Sequence, residues 1–585
     1  MPPLPVERCL PGREVFEPRL VGGAIVHGVA SEGAGHLEVV PLDGTASRLV
    51  PLDPPLRAAR GLGGGSWAPT PDGGSVVYVA VDGGLAVASL AGGPVRRLTP
   101  TDRQVSGPVV AGDGRTVVHA VDEAEVWTVD LVSGSTVRLD RAEHDFCLDP
   151  YIGDGEVRWV GWRVPDMPWD HAEIAGSSID GTPRPTLVPP GAVQQPRIAP
   201  DGTLLCLRDD TGWLNLWHGD RPLVDESFEH GGPLWGPGQR SYAISPDGRR
   251  VAFTRNELGF GRLCVVDTDT GRVDEVARGV HGQLDWRGDR LVAMRTGART
   301  PTGVVVYDIA DWSRRTLATG DEWPDDALVE PELLAIDHPD GHTVHARWYR
   351  ADSDRLLVWV HGGPTDQWQV TFMPRIAYWR SRGWNVIVPD HRGSTGHGRV
   401  FQQSLRHRWG VDDVADVLEV TRAAHRRGIA VPPHTVLMGS SAGGFCALGA
   451  LGAAPEMFAG AAVLYPVTDL VDLAERSHRF ERHYTDTLVG PLPETATEYR
   501  RRSPVAHAER LAARPLLVLH GEVDPVVPVD HSRAFVDRVI AAGGDATLHV
   551  YPGEGHGFRR REHQLDEYRR LEQFLTRCLQ IASSR

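Results

Sequence analysis

An Asp-Gly turn placed just ahead of a β-rich run recurs through the first half of the chain. It stands at Pro71-Asp72-Gly73 before SVVYVAV and at Pro246-Asp247-Gly248 before RRVAFTR, with comparable turns at Asp113, Asp154, Asp201 and, in the form Gly288-Asp289-Arg290, at Asp289. The intervals are 41, 41, 47, 46 and 42 residues. A period of this length, carrying several short strand-like runs per unit, is that of a propeller blade. A single blade exposes two apolar faces that only stacked neighbours can cover, so the repeat must close on itself. Six blades are marked by these turns, and counting back about 42 residues from Asp72 reaches Val29–Gly35, where a degenerate turn precedes HLEVVPL and predicts a seventh. The repeat predicts a β-propeller over residues 1–320.

Residues 321–332 (DEWPDDALVEPE) are acidic and proline-punctuated, which predicts a linker. Over residues 333–585 the pattern changes. Apolar runs such as LLVWVHGG and NVIVPDHRG alternate with amphipathic stretches such as VDDVADVLEVTRAAHRRG and HSRAFVDRVIAAGG, predicting an α/β domain with a mostly parallel, doubly wound sheet.

Composition excludes several classes. An apolar fraction of 41% and a charged fraction of 24% are those of a folded, water-soluble chain. The formal charge of −16 disfavours nucleic acid as a partner, and the chain has no lysine, so all 61 basic residues are arginine. Lysine Schiff-base chemistry and lysine-dependent phosphate loops are therefore excluded. The six cysteines are scattered, with no spacing for a cysteine zinc site or a disulfide framework. The proline-containing start lacks a secretory signal, and no apolar run reaches bilayer length, so no membrane association and a cytoplasmic location are expected.

The chemistry concentrates in three places. At the end of the apolar run Thr435 to Met438 comes Gly439-Ser440-Ser441-Ala442-Gly443, the G-x-S-x-G pattern of a nucleophile elbow, with Ser441 at its centre. A serine hydroxyl needs a base, and the base needs an acid to fix its tautomer. Downstream, PLLVLHG runs into Glu522-Val523-Asp524, and TLHVYPG runs into Glu554-Gly555-His556. Both follow predicted strands, so Ser441, Asp524 and His556 are expected to meet at the carboxyl edge of the sheet despite separations of 83 and 32 residues. Glu522 and Glu554 are lesser rivals for the acid, expected to be solvated. Upstream, His361-Gly362-Gly363-Pro364 follows RLLVWV, and the backbone amides of Gly363 and Ala442 are the expected oxyanion donors.

With HGGPTDQW, PDHRGSTGHGR, WGVDDVAD, GSSAGG, HRFERHY, LVGPLPE, RSPV, GEVDPVVP and YPGEGHGF in order, residues 355–575 closely resemble the prolyl oligopeptidase family (S9) of serine peptidases. The resemblance implies a propeller ahead of an α/β-hydrolase domain and supports Ser441, Asp524 and His556 as the triad. It is strongest toward the bacterial acylaminoacyl-peptidase-like and aminopeptidase-like branch, including puromycin-hydrolysing aminopeptidases, through PDMPWD at 165–170 and DESFEHGGP at 225–233.

These features predict a serine exopeptidase acting on short peptides or aminoacyl amides from the N-terminus, with no metal or cofactor. An acylaminoacyl peptidase, or an esterase or amidase acting on a natural product, stays open as an alternative, and a non-catalytic propeller scaffold is a remote one. Glu226 and Glu229 are candidates to bind the substrate ammonium, or else solvated turn residues. Trp368, Phe445, Tyr465 and Phe480 are candidates to line a substrate pocket, or else core. The sequence leaves open the side-chain preference, the number of residues released per cycle, the state of the substrate terminus and the oligomeric state.

Overall fold

The computed structural model describes residues 2–31, 34–59, 61–153, 155–320, 323 and 327–583. The predicted turn at Asp154, part of the Val29–Gly35 turn and part of the 321–332 linker lie outside the described residues. The chain divides into two units. One comprises Pro11–Trp323 with Gln369–Phe372, the other Met1–Leu10, Pro324–Trp368 and Met373–Arg585. The N-terminal segment groups with the second unit because the Leu4 amide donates to Ser381 Oγ at 3.0 Å and Arg382 Nη1 donates to the Leu4 carbonyl at 2.9 Å.

The first unit is a seven-bladed propeller of four-stranded antiparallel sheets. The repeated turn joins the first and second strands of a blade, as between Trp67–Pro69 and Ser75–Val79. Its aspartate accepts from the amide two residues on: Gly74 to Asp72 at 3.0 Å, Arg115 to Asp113 at 2.8 Å, Thr203 to Asp201 at 2.9 Å and Arg249 to Asp247 at 3.1 Å. The glycine beside it sits at positive φ (+70° at Gly73, +66° at Gly114, +85° at Gly202, +73° at Gly248), a conformation that side chains rarely adopt. In the first blade the equivalent turn is Gly22-Gly23, between Glu14–Val21 and Ala24–Ser31, and not Val29–Gly35. Val29, Ala30 and Ser31 belong instead to the blade's second strand. The 50 residues from Gly22 to Asp72 exceed the period because the first blade's strands run to eight residues and a long connection follows its last strand.

Five blades carry a bulge in the first strand; in four of them a non-glycine residue, Glu17, Asp149, Gln195 or Gln283, sits at a φ of +48° to +56°, and in the fifth Gly107 sits at +60°. The side chains of all four non-glycine residues serve other blades, Gln283 by donating to the Gly238 carbonyl at 2.7 Å. Glu17 accepts from the Gly65 and Ser66 amides at 2.7 and 3.0 Å, Gln195 from Ser241 at 2.9 Å, and Asp149 from Gly238 at 2.8 Å. Every blade is built from consecutive strands, so the first and last blades share none. Side chains join them: the Leu20 amide donates to Asp285 Oδ2 at 2.8 Å, and Val15, Leu20 and Ile25 pack with Val292, Met294 and Val304.

The second unit holds an eight-stranded sheet. Its strands are β1 (Glu332–Asp337), β2 (Thr343–Tyr349), β3 (Arg355–Val360), β4 (Trp384–Asp390), β5 (Thr435–Ser440), β6 (Gly460–Leu464), β7 (Leu516–Gly521) and β8 (Ala546–Tyr551). The order is β1-β2-β4-β3-β5-β6-β7-β8, with β2 antiparallel to both neighbours and all other pairs parallel. The central strands are buried on both faces, which explains their continuous apolar runs. Helices Asp412–Arg426, Ala442–Ala453 and Val529–Ala541 contribute to the same core, among them Val417, Ala447, Leu451 and Phe535. Among the described residues, no helix is long and apolar enough to cross a membrane.

Candidate active site

Ser441 stands between the end of β5 and helix Ala442–Ala453, half-buried, at φ +55° and ψ −125°. A non-glycine residue held there costs of the order of 1–3 kcal/mol, which the surrounding packing must supply. That packing depends on glycine. A Cβ on Gly443 would lie 2.3 Å from the Val360 carbonyl oxygen and 2.5 Å from that of His361, so only hydrogen lets the helix start against the end of β3. Ala442 is the first residue of the helix, where amides have no intrahelical acceptor.

Asp524 and His556 occupy the loops leaving β7 and β8. Because β5 to β8 are parallel, these loops and the elbow share one edge of the sheet. His556 Nδ1 donates to Asp524 Oδ2 at 2.7 Å, leaving Nε2 as the proton-accepting nitrogen. Asp524 Oδ1 accepts from the Val526 and Val527 amides at 2.8 and 3.0 Å. Burial alone would raise the Asp524 carboxyl, but donation from His520, His556 and the Val527 amide outweighs it and holds the group well below the usual carboxylate range. Of the rival acids, Glu522 is exposed and accepts from the Gly553 amide at 3.1 Å. Glu554, expected to be solvated, is 3% exposed. It is buried because it accepts from the Arg559 and Arg560 amides and from His563 Nδ1, at 3.0, 2.8 and 2.8 Å.

The loop after β3 lies against the elbow: a Cβ on Gly362 would sit 3.7 Å from Ser441 Cβ. His361 braces this loop. Its Nδ1 donates to the Gly362 carbonyl and its Nε2 accepts from Ser394 Oγ, both at 2.7 Å, its ring stacks on His391 at 4.5 Å, and burial pushes it down to about 3, so it is neutral. Gly363 has a φ of +115°. Beyond it, the Thr365 amide donates to Tyr484 Oη at 3.2 Å and that hydroxyl donates to Thr365 Oγ1 at 2.6 Å. Gln367 Nε2 donates to Asp390 Oδ2 at 2.8 Å, and Asp390 forms a fully buried ion pair with Arg347.

A model of the prolyl oligopeptidase family matches residues 370–582, the stretch that carries Ser441, Asp524 and His556. This stretch is similar to the prolyl oligopeptidase family. Dipeptidyl aminopeptidase BIII of Pseudoxanthomonas mexicana is 25% identical over 616 aligned positions, covering 94% of this chain and 84% of that one. Dipeptidyl peptidase family member 6 of Caenorhabditis elegans is 29% identical over 257 residues, covering 43% of this chain, so the chain spans only 35% of that relative. The crystal structure of puromycin hydrolase matches with a TM-score of 0.88 at 29% identity, over 97% of this chain and 95% of that one.

Within this prolyl oligopeptidase fold the pocket candidates separate. Tyr465 packs on the His556 ring, with centroids 4.5 Å apart. Trp368 is half-buried, edge-on to Trp359 at 5.4 Å. Phe480 is buried. Phe445 is 1% exposed and packs on Trp409 at 4.6 Å, which favours the core alternative. In the propeller, Glu226 is half-buried and already engaged, with Oε1 accepting from His230 Nε2 at 2.8 Å and Oε2 from Arg255 Nη1 at 3.2 Å. Burial would raise its carboxyl, but these two partners outweigh that and hold it below the usual range. Glu229 is 5% exposed, with its carbonyl accepting from the Asn256 amide at 2.8 Å. Neither is a solvated turn residue. Sequence alone assigns no role to Tyr484 or His361, although both stand inside the motifs HRFERHY and HGGPTDQW; His361 adjoins the Gly362-Gly363 pair, a signal that points to it, whereas Tyr484 has no such local marker.

Proposed function

We propose that the protein is a serine exopeptidase that releases residues from the N-terminus of short peptides or aminoacyl amides through an acyl-enzyme. Ser441 Oγ attacks the scissile carbonyl and gives its proton to His556 Nε2. Asp524, bonded to Nδ1, keeps the tautomer and stabilises the imidazolium. The Gly363 and Ala442 amides donate to the oxyanion, a contribution of about 3–4 kcal/mol to the barrier. His556 passes the proton to the leaving amine, and water, deprotonated by the same nitrogen, then cleaves the ester and restores Ser441.

The observation that carries this reading is the 2.7 Å bond from His556 Nδ1 to Asp524 at the sheet edge where the strained Ser441 elbow also stands. Labelling with a fluorophosphonate tests it: the native chain is modified at Ser441, Ser441→Ala is not, and the variant loses turnover to the residual level of oxyanion binding. Undiminished turnover in Ser441→Ala refutes the mechanism, and absence of labelling in the native chain supports the scaffold reading.

Glu226 and Glu229 supply the ammonium site in this proposal. The engagement of Glu226 by Arg255 and His230 favours, as a second reading, an enzyme for acylated termini, which need no anion. Aminoacyl and N-acetyl-aminoacyl p-nitroanilides compared on one preparation decide between them. Preference for the free amine, weakened in Glu226→Gln, supports the exopeptidase reading; preference for the acetylated series removes the amine anchor.

A further inference from the structure

The turn between β1 and β2 presents a cluster that the peptidase chemistry does not use. His338 and His342 flank Asp340 there, and Asp416 reaches them from helix Asp412–Arg426. Asp340 Oδ1 accepts from His342 Nδ1 and lies 2.7 Å from His338 Nδ1. The Asp340 amide donates to His338 Nδ1 at 3.3 Å. The opposite edges of both rings face one atom: His342 Nε2 is 3.1 Å and His338 Nε2 3.8 Å from Asp416 Oδ1. The three ligand-type atoms lie within 4.8 Å of one another, and the two rings stack with centroids 4.6 Å apart.

A neutral imidazole has one N–H. With the His342 hydrogen on Nδ1, bonded to Asp340, its Nε2 lone pair faces Asp416 Oδ1, a contact that a cation between them would relieve. A single divalent ion satisfies all three donors at once. Arg392 fixes the Asp416 carboxylate, through its backbone amide at 2.7 Å and its Nη2 at 2.8 Å. Asp340, Asp412 and Asp416 meet the guanidiniums of Arg392 and Arg408, leaving one negative charge in excess. Asp416 is fully buried, whereas the His342 and Asp340 side chains are 25% and 44% exposed, so the cluster has a rigid floor and an opening to solvent.

We propose that this turn binds one divalent transition-metal ion through His338 Nε2, His342 Nε2 and Asp416 Oδ1, with Asp340 as the carboxylate behind both imidazoles. Two imidazoles and one carboxylate with a fourth position open to water form a donor set suited to zinc. The shared Asp340 stands behind both rings and orients them. The ion ties the β1–β2 turn to helix Asp412–Arg426 and takes no part in peptide hydrolysis.

The test uses the full chain, stripped with chelator and dialysed against micromolar zinc chloride, with bound metal measured by elemental analysis and thermal unfolding followed in parallel. The native chain retains one zinc ion and unfolds at a higher temperature than when stripped. The His338→Gln/His342→Gln double variant, whose changes lie on a partly exposed turn, loses the ion and the shift while labelling with fluorophosphonate as the native chain does. Asp340→Asn keeps all three ligands and binds at least about tenfold more weakly. The proposal is overturned if the native chain binds no zinc, or if the double variant binds it with the same stoichiometry and affinity.

Discussion

Replacing Gly443 by alanine tests how the elbow is held. The added Cβ would meet the Val360 and His361 carbonyl oxygens at 2.3 and 2.5 Å and the His361 carbonyl carbon at 2.8 Å. These are backbone atoms at the end of a central strand and cannot swing aside. Ordinary carbon–oxygen contacts begin near 3.3 Å, so the helix start and the end of β3 must separate by about 1 Å. One of these elements follows Ser441 and the other leads into the loop that carries Gly363, so the strain falls on the geometry between the Ser441 hydroxyl and the proposed oxyanion donors. A misplacement of this size costs about 100-fold in rate. The expected result is a kcat lowered about 100-fold on an aminoacyl p-nitroanilide, a smaller change in KM, and slower labelling by fluorophosphonate. Gly452→Ala in the same helix is the control: its Cβ would meet Leu511 at 3.7 Å, an ordinary contact, so activity is unchanged and the helix gains up to about 1 kcal/mol. Undiminished kcat in a folded Gly443→Ala protein would refute the close-packing argument.

Asp524→Asn keeps the shape of the triad but removes the carboxylate that sets the His556 tautomer, and kcat in stopped or continuous assays falls about 10⁴-fold with the fold retained by circular dichroism. Tyr484→Phe removes the hydroxyl that bonds Thr365 beyond Gly363, so kcat falls about tenfold with KM little changed, read from full saturation curves. Asp413 is fully buried, and burial pushes its carboxyl from the ordinary 3.8 up to about 6. The folded state then holds the proton more tightly than the unfolded chain, so this group's contribution to stability is fully present below pH 3.8, falls as pH rises to about 6, and stays low above it. Asp413→Asn does not titrate, so its stability relative to the native chain improves with rising pH, by at most about 3 kcal/mol above pH 7, measured by denaturant unfolding across pH.

The parts of the fold legible in the sequence were those that local backbone chemistry dictates. Asp72, Asp113, Asp201 and Asp247 close turns with their own downstream amides, and such turns leave a spacing that can be counted. The first blade was misplaced because its turn, Gly22-Gly23, has no aspartate and its long strands stretch the interval. The bulges at Glu17, Gln195 and Gln283 left no trace, since each holds a positive φ without glycine and is fixed by partners that only folding brings near. The positions of Ser441, Asp524 and His556 at strand exits were readable because strand grammar gives the exits. Environment was not: Glu554 reads as a loop glutamate yet is buried by bonds to residues that follow it, and the choice between pocket and core for Phe445 turns on Trp409, which only folding brings near. The cluster at His338 and His342 was invisible because its third member, Asp416, lies 74 residues on.

Each propeller blade is encoded by one unbroken stretch of chain, with no strand lent between the first and the last. Loss or duplication of such a stretch in the gene would therefore remove or add a whole module, and the hydrogen-bond ladders inside the remaining modules would survive intact. What would need to be remade is the seam itself, where Asp285 meets Leu20, so the price of changing ring size is concentrated in a handful of side chains.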